Sequence, residues 1–238
     1  MSTETDMAAE LAAAQAGLKA AEERMGALEN AALLGDMFSG IAHELNQPLN
    51  VTKIICQGLV RDAQKGRFSV EEAKTDLPEI ITQMNKLSEL ITHMRALAVA
   101  KVGVPPEKQN LNEIIQYALQ FVGTQYKSHK IEVVLSLQES LPYVMGEAIR
   151  LEQTVLNLMN QARKEVELVE GTGRQVMLKT SVAADGQVVL EVGNNAAGAA
   201  LEPRLTGCKK TVTDFGGQLE FTRSPGGASA FKVTFPAA

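Results

Sequence analysis

Four side chains with complementary chemistry fall within two helical turns of this 238-residue chain: His43, Glu44, Gln47 and Pro48, in the run Ala42-His43-Glu44-Leu45-Asn46-Gln47-Pro48-Leu49. Imidazole is neutral and nucleophilic near pH 7, and its attack on phosphorus gives a covalent phosphohistidine. On a helix His43 and Gln47 lie one turn apart on one face. Glu44 stands beside the ring, where a carboxylate can hold one N–H and leave the other nitrogen free to attack. Pro48 carries no N–H, so the Glu44 carbonyl loses its helical partner and a kink is expected one turn beyond the histidine. Asn50, Val51 and Ile54 prolong the face that carries His43 and Gln47. Apolar groups there, where a solvated helix is ordinarily polar, mark a partner-docking surface, the alternative being cover by the chain's own second half. His93 and His129 have no such neighbours and read as surface residues.

The elements that must position these groups are two long helices. Leu11, Ala14, Leu18, Ala21, Met25, Leu28 and Ala32 alternate by three and four, which makes residues 1–34 a coiled-coil helix. A second frame runs Phe38, Ala42, Leu45, Leu49, Thr52, Cys56, Leu59 and Ala63, and joining the frames needs an extra step of three near Gly35, a stammer in one continuous helix. That helix should stop at Lys65-Gly66, and Ser69 with Glu72 forms a capping box for the next. The next helix carries Leu77, Ile80, Ile81, Met84, Leu87, Leu90, Ile91, Met94 and Leu97. Two helices cannot bury so wide a stripe, so residues 35–100 are expected to form a helical hairpin that pairs with a second copy as a dimeric antiparallel four-helix bundle.

Residues 101–109, with Pro105-Pro106, read as a linker. From 110 to 238 the pattern changes to alternating helices and strands: helices at 110–126, 147–168 and 203–215, and strands at 131–137, 175–182, 188–192, 218–222 and 228–235. Asp185-Gly186 marks a hairpin turn. The fold class is therefore α plus α/β, a helical hairpin with an N-terminal coiled-coil extension followed by an α/β sandwich. Net charge is −5, with basic residues scattered, which argues against nucleic acid as a partner. No apolar run is long enough for a membrane span, and a cytoplasmic location is expected. Cys56 and Cys208 lie in apolar-periodic segments and read as reduced, buried thiols, with no metal site expected.

The run from Ala42 to Leu49 resembles the H-box of two-component sensor histidine kinases. Gly146-Glu147-Ala148-Ile149-Arg150-Leu151-Glu152-Gln153-Thr154-Val155-Leu156-Asn157-Leu158 resembles the N-box helix of that family's ATP-binding domain, and Phe215-Gly216-Gly217-Gln218-Leu219-Glu220 through Pro225-Gly226-Gly227 resembles its C-terminal end. The resemblance implies His43 as phospho-acceptor and response-regulator receiver domains as partners. It also implies an ATP site, from which this sequence departs. The family's second N-box Asn, a Mg²⁺ ligand, falls on Gln161, leaving only Asn157 there; the Asp that reads adenine falls on Asn194, in Asn194-Asn195-Ala196-Ala197-Gly198; and the second glycine-rich phosphate loop falls on Glu202-Pro203-Arg204-Leu205. Gln161 carries its amide a methylene too far for tight octahedral Mg²⁺, and a carboxylate at Glu202 opposes phosphate. Transfer from ATP depends on positioning and charge neutralisation, so these losses bear on one another.

Three functions are then open. In the first the chain is a histidine phosphotransferase: His43 exchanges a phosphoryl group with receiver aspartates, no cofactor is bound, and the receiver supplies Mg²⁺. In the second it is an ATP-dependent sensor kinase with a divergent site. In the third it is a binding module, a pseudokinase that docks receivers or kinases, or dephosphorylates a receiver with Gln47 orienting water. The first is the expectation carried forward.

Overall fold

The computed structural model of the protein describes residues 2–98, 104–169, 173–196, 203, 205–225 and 228–238. Helix α1 runs unbroken over Ser2–Gln64, through both Gly35 and Pro48, and α2 spans Val70–Ala98. Between them Gly66 takes φ +65°, its N–H donating to the Ala63 carbonyl while the Arg67 N–H donates to the Asp62 carbonyl. This closure favours glycine, because a Cβ is strained at positive φ. The Ser69 hydroxyl accepts from the Glu72 N–H at 3.3 Å and opens α2.

Within one chain this hairpin leaves much of its stripe uncovered. Phe38, Leu49, Leu77, Ile81, Met84 and Ile91 are exposed, and of α2 only Ala73 and Leu97 are buried among the described residues.

The second half is an α/β sandwich. Helix α3 (Leu111–Ser128) starts at Asn110, whose side-chain oxygen accepts from the Asn112 N–H at 2.9 Å. Strand β2 (Ile131–Ser136) follows, then α4 (Ala148–Glu167), β4 (Arg174–Val182), β5 (Val188–Asn194), α5 (Thr206–Asp214), β6 (Gln218–Arg223) and β7 (Ser229–Phe235). The five strands lie in the order β2-β4-β5-β7-β6, parallel only between β2 and β4. Along β4, Val176, Leu178 and Thr180 are buried while Met177 and Lys179 are not, so one sheet face meets the helices and the other meets solvent. The β4–β5 turn sits at Asp185-Gly186, with Gly186 at φ +82° and the Asp185 carboxylate accepting from the Gln187 N–H. A Cβ on Gly217 would collide with the Thr234 carbonyl oxygen, which restricts that position to glycine.

Three expectations need correction. Residues 107–109 are not linker: Glu107–Gln109 forms β1, paired antiparallel with β3, Val144–Gly146, and neither strand is long enough to show alternation. Helix α5 begins at Thr206, not at Pro203. Cys56 is exposed, since its position on the hairpin stripe is covered by nothing in one chain; Cys208 is buried, and both are free thiols. Burial pushes the Cys208 thiol up to about 12.

The two halves are not separate bodies joined by a tether. Leu33, Met37 and Ile41 of α1 and Leu97 of α2 belong to the same hydrophobic core as Ile115, Met159 and Leu205.

Candidate functional site

His43, Gln47, Asn50, Val51 and Ile54 form one strip along α1, and all five are exposed. Their spacing of four, three, one and three residues keeps them on a single helical face. The second half of the chain does not reach this strip, because it seats on α1 at residues 26–41 and on α2 at His93 and Leu97. Val51 and Ile54, 38 % and 68 % exposed, therefore remain an apolar surface beside the reactive ring.

Glu44 does not do what its place in sequence suggests. Adjacent residues on a helix diverge by about 100°, and Glu44 turns into a half-buried position while His43 faces solvent. Among the described residues the Glu44 side chain makes no hydrogen bond, to His43 or to any other group. Burial raises its carboxyl from 4.5 to about 7. The carboxyl is protonated below that pH and charged above it. With no bond between the two side chains, Glu44→Gln should leave the pH profile of phosphoryl uptake by His43 unaltered between pH 6 and 8; a step present in wild type and lost in the variant would bring Glu44 into the chemistry. Its effect is on stability: the folded state holds a proton between pH 4.5 and 7 that the unfolded state has lost, so Glu44 contributes stability at low pH that fades as pH climbs through 7.

The other two histidines are engaged. His93 Nε2 lies 3.0 Å from the buried Glu152 carboxylate, its ring stacks on Phe121 with centroids 4.9 Å apart, and the Glu152 hydrogen bond raises its imidazole above the ordinary value. The expectation of an unpartnered surface residue fails because α2 packs on α4, a contact no local pattern announces. His129 pairs through Nδ1 with Glu167 at 2.8 Å.

In the second domain Asn194 is 2 % exposed and committed internally. Its amide nitrogen donates to Glu165 Oε2 and to the Ser229 hydroxyl, each at 2.7 Å, and its carbonyl oxygen accepts from the Ala196 N–H at 2.9 Å. Glu165, wholly buried, also pairs with Arg223 at 3.4 Å. No acceptor on Asn194 is left facing outward for an adenine amino group. Asn157 and Gln161 line a cavity of about 630 Å³ between α1, α4 and α5; Gly198 and Glu202 lie outside the described residues. Among the described residues no cluster of His, Cys, Asp or Glu is arranged to hold a metal ion.

The wall of that cavity was not foreseen. It is α1 itself: Glu29 Oε2 accepts from the Gly207 N–H at 2.8 Å, Lys164 Nζ reaches Asp36 at 2.6 Å, Asn160 Nδ2 donates to the same carboxylate at 3.0 Å, and Gln125 Nε2 donates to the Asp36 carbonyl oxygen at 2.6 Å. Burial alone would raise the Asp36 carboxyl, but its bonds to Lys164 and Asn160 hold it below the ordinary value. The one sequence signal was a second apolar row, Leu33, Met37 and Ile41, set beside the coiled-coil seam rather than on it.

Comparison with known proteins bears on the helical half most directly. Residues 33–100 match the His Kinase A (phospho-acceptor) domain, which contains His43 and the whole exposed strip. Sensor protein TdiS of Thauera aromatica is 24% identical over 222 residues, 85% of this chain and 40% of that protein. Sensor histidine kinase ZraS of Klebsiella oxytoca is 23% identical over 242 residues, 93% of this chain and 50% of that protein. The chain thus spans half or less of the length of these relatives. Among solved structures, Acinetobacter baumannii histidine kinase AdeS aligns over 82% of this chain and 98% of its own, at 18% identity and TM-score 0.46. Residues 33–100 are thus a phospho-acceptor domain of the His Kinase A type that presents His43, with an α/β domain after it, and along most of its length the chain is similar to two-component sensor histidine kinases.

Proposed function

We propose that the chain is a histidine phosphotransferase, in which His43 takes a phosphoryl group from the aspartyl phosphate of one receiver domain and delivers it to another. The observation that carries this reading is the pairing of an open acceptor strip with a second domain whose Asn194 is spent on Glu165 and whose α4–α5 face is walled on one side by α1. In the transfer an imidazole nitrogen attacks phosphorus, the bond to the aspartyl oxygen breaks, and the carboxylate leaves; the reverse step regenerates the free ring. Mg²⁺ comes with the receiver, and no cofactor is assigned to this chain. The relay shares a compartment with its receivers, which we take to be the cytoplasm; among the described residues no helix is long and apolar enough to cross a membrane.

A second reading is supported by the match to sensor histidine kinases along nearly the whole chain: an ATP-dependent kinase that uses the α1–α4–α5 cavity once it opens. One experiment separates them. The protein is incubated first with radiolabelled ATP and Mg²⁺, then separately with a phosphorylated receiver followed by a second receiver. The relay reading expects no label from ATP, and label passing from the first receiver through His43 to the second. Label from ATP would restore the kinase. Label lost as inorganic phosphate, slowed by Gln47→Ala, would make the chain a receiver phosphatase instead. Val51→Asp should slow transfer about tenfold or more by placing a charge where an apolar contact is buried; an unchanged rate would move the docking surface off this strip.

The exposed stripe of Phe38, Leu49, Leu77, Ile81, Met84 and Ile91 is assigned to a second copy of the chain. Light scattering should give twice the chain mass of 25.6 kDa, and Leu49→Asp should lower it to the mass of one chain. A monomeric wild type would overturn the assignment.

A further inference from the structure

A second cavity, of about 570 Å³, lies at the N-terminal end of α4, where three segments from the two halves of the chain meet. One wall is α2, which contributes Arg95 and Ala96; the second carries Val104, Pro105 and, on β1, Glu107 and Gln109; the third is the start of α4 with Glu147, Ile149 and Arg150. Glu107 and Gln109 are two residues apart on a strand and share a face, and the pairing of Glu107 with Gly146 sets β1 beside the start of α4. The walls are held in place. His93 Nε2 lies 3.0 Å from Glu152 and Gln153 Nε2 donates to the Leu97 carbonyl oxygen at 2.5 Å, so α2 is bonded to α4 two residues before Arg95 and two residues after it. The cavity is therefore formed before any ligand arrives. Its size falls among small-molecule sites, about 300–1,000 Å³, which favour junctions of this kind.

The charges of the lining restrict what can sit there. Glu147 and Arg150 pair with each other at 3.4 Å, and Arg150 is tied to Asp214 as well. Arg95 and Glu107 stand on different walls, both exposed, and among the described residues the side chain of neither has a hydrogen bond or an ion pair. One cation and one anion are thus left without partners, and the charges of the lining cancel. A polyanion such as a nucleotide would meet as many carboxylates as guanidinium groups. Ala96, Val104, Pro105 and Ile149 supply apolar surface, and Gln109 an amide that donates and accepts. We propose that this cavity binds a zwitterion with an apolar body, an apolar amino acid or short peptide, its carboxylate on Arg95 and its ammonium group on Glu107. Such a ligand touches the acceptor hairpin and the second domain at once. The site stands whether the phosphoryl group on His43 comes from ATP or from a receiver.

The test titrates the full chain with the dipeptide Leu-Leu and follows backbone amide resonances. Those of residues 92–96, 107–109 and 147–150 should shift and saturate with Kd below about 1 mM, and Arg95→Ala and Glu107→Gln should each weaken binding about tenfold. Both side chains are exposed and unbonded, so neither variant should lower the melting temperature. Blocked dipeptides assign the two ends. With its carboxylate amidated, the dipeptide should bind wild type about tenfold more weakly and become indifferent to Arg95→Ala; with its amine acetylated, it should lose as much and become indifferent to Glu107→Gln. Resonances unmoved at about 10 mM dipeptide, or equal affinity of wild type and both variants, overturn the site. So does a blocked dipeptide that still responds to substitution of the residue it no longer meets.

Discussion

Replacing His43 by Gln should leave the protein unable to take up phosphoryl label from any donor, with its fold unchanged. The side chain is exposed and makes no hydrogen bond among the described residues, so nothing in the packing depends on it. Gln keeps a polar side chain of similar reach but offers an amide, whose nitrogen lone pair is delocalised and does not attack phosphorus. His93→Gln and His129→Gln are the matched controls. His93 is stacked on Phe121 and bonded to Glu152, and His129 is paired with Glu167; neither belongs to the exposed strip, so both variants should label at the wild-type rate. His93→Gln should instead lower the melting temperature, because it takes from Glu152, 4 % exposed, the imidazole bonded to it at 3.0 Å. Acid-labile, protein-bound phosphate on the His43→Gln chain would remove His43 from the mechanism.

The second large effect is thermodynamic. Asn194→Asp supplies the carboxylate type that reads adenine in the family, yet it should fail to create a nucleotide site and should destabilise the second domain. It places a carboxylate where the amide nitrogen now donates at 2.7 Å to the wholly buried Glu165. Two carboxylates in one dry site cannot both ionise, so the introduced carboxyl would stay protonated in the folded state and titrate near about 3.9 in the unfolded chain. The cost is then on the order of 3 kcal/mol at pH 7 and a fall of roughly 10 °C in Tm. The pH dependence carries the sign: the unfolded chain sheds the proton above about pH 4, so the penalty should be small near pH 4 and grow toward neutrality. Calorimetry should show no Mg²⁺-dependent heat of ATP binding for wild type or variant. A variant as stable as wild type at pH 7, or one that gains ATP binding, would show that Asn194 is not locked onto Glu165.

Much of the local structure was legible because local chemistry specifies it. Gly66 ends α1 through a positive φ, Ser69 and Asn110 cap α2 and α3, and Asp185-Gly186 turns β4 into β5. The acceptor strip was legible for the same reason, since helical spacing alone gathers His43, Gln47, Asn50, Val51 and Ile54 on one face. What escaped has its cause at long range. Whether Glu44 bonds to His43 depends on what lies over the next face of α1. His93 read as a surface residue because its partners, Phe121 and Glu152, are distant in sequence. Asn194 departs from the resembling loop by one atom type, and only the fold shows Glu165 beneath it. Strands β1 and β3, three residues each, are too short for any periodicity to declare them.

The placement of β7 bears on how the chain reaches its folded state. It is the last strand in chain order, yet it lies inside the sheet, with β5 on one side and β6 on the other. Among the described residues strand β6 has no neighbour in the sheet except β7, and until β7 arrives β5 presents an open hydrogen-bonding edge, an invitation to wrong pairing. During synthesis, then, the hairpin helices and most of the sandwich emerge from the ribosome with Leu33, Met37 and Ile41 facing a half-finished core. The sheet closes only when residues 229–235 slot between strands made earlier. A ribosome that stalls or terminates ahead of that segment releases a chain with two raw edges, which makes the final strand the point at which nascent molecules are committed to folding or to aggregation and degradation.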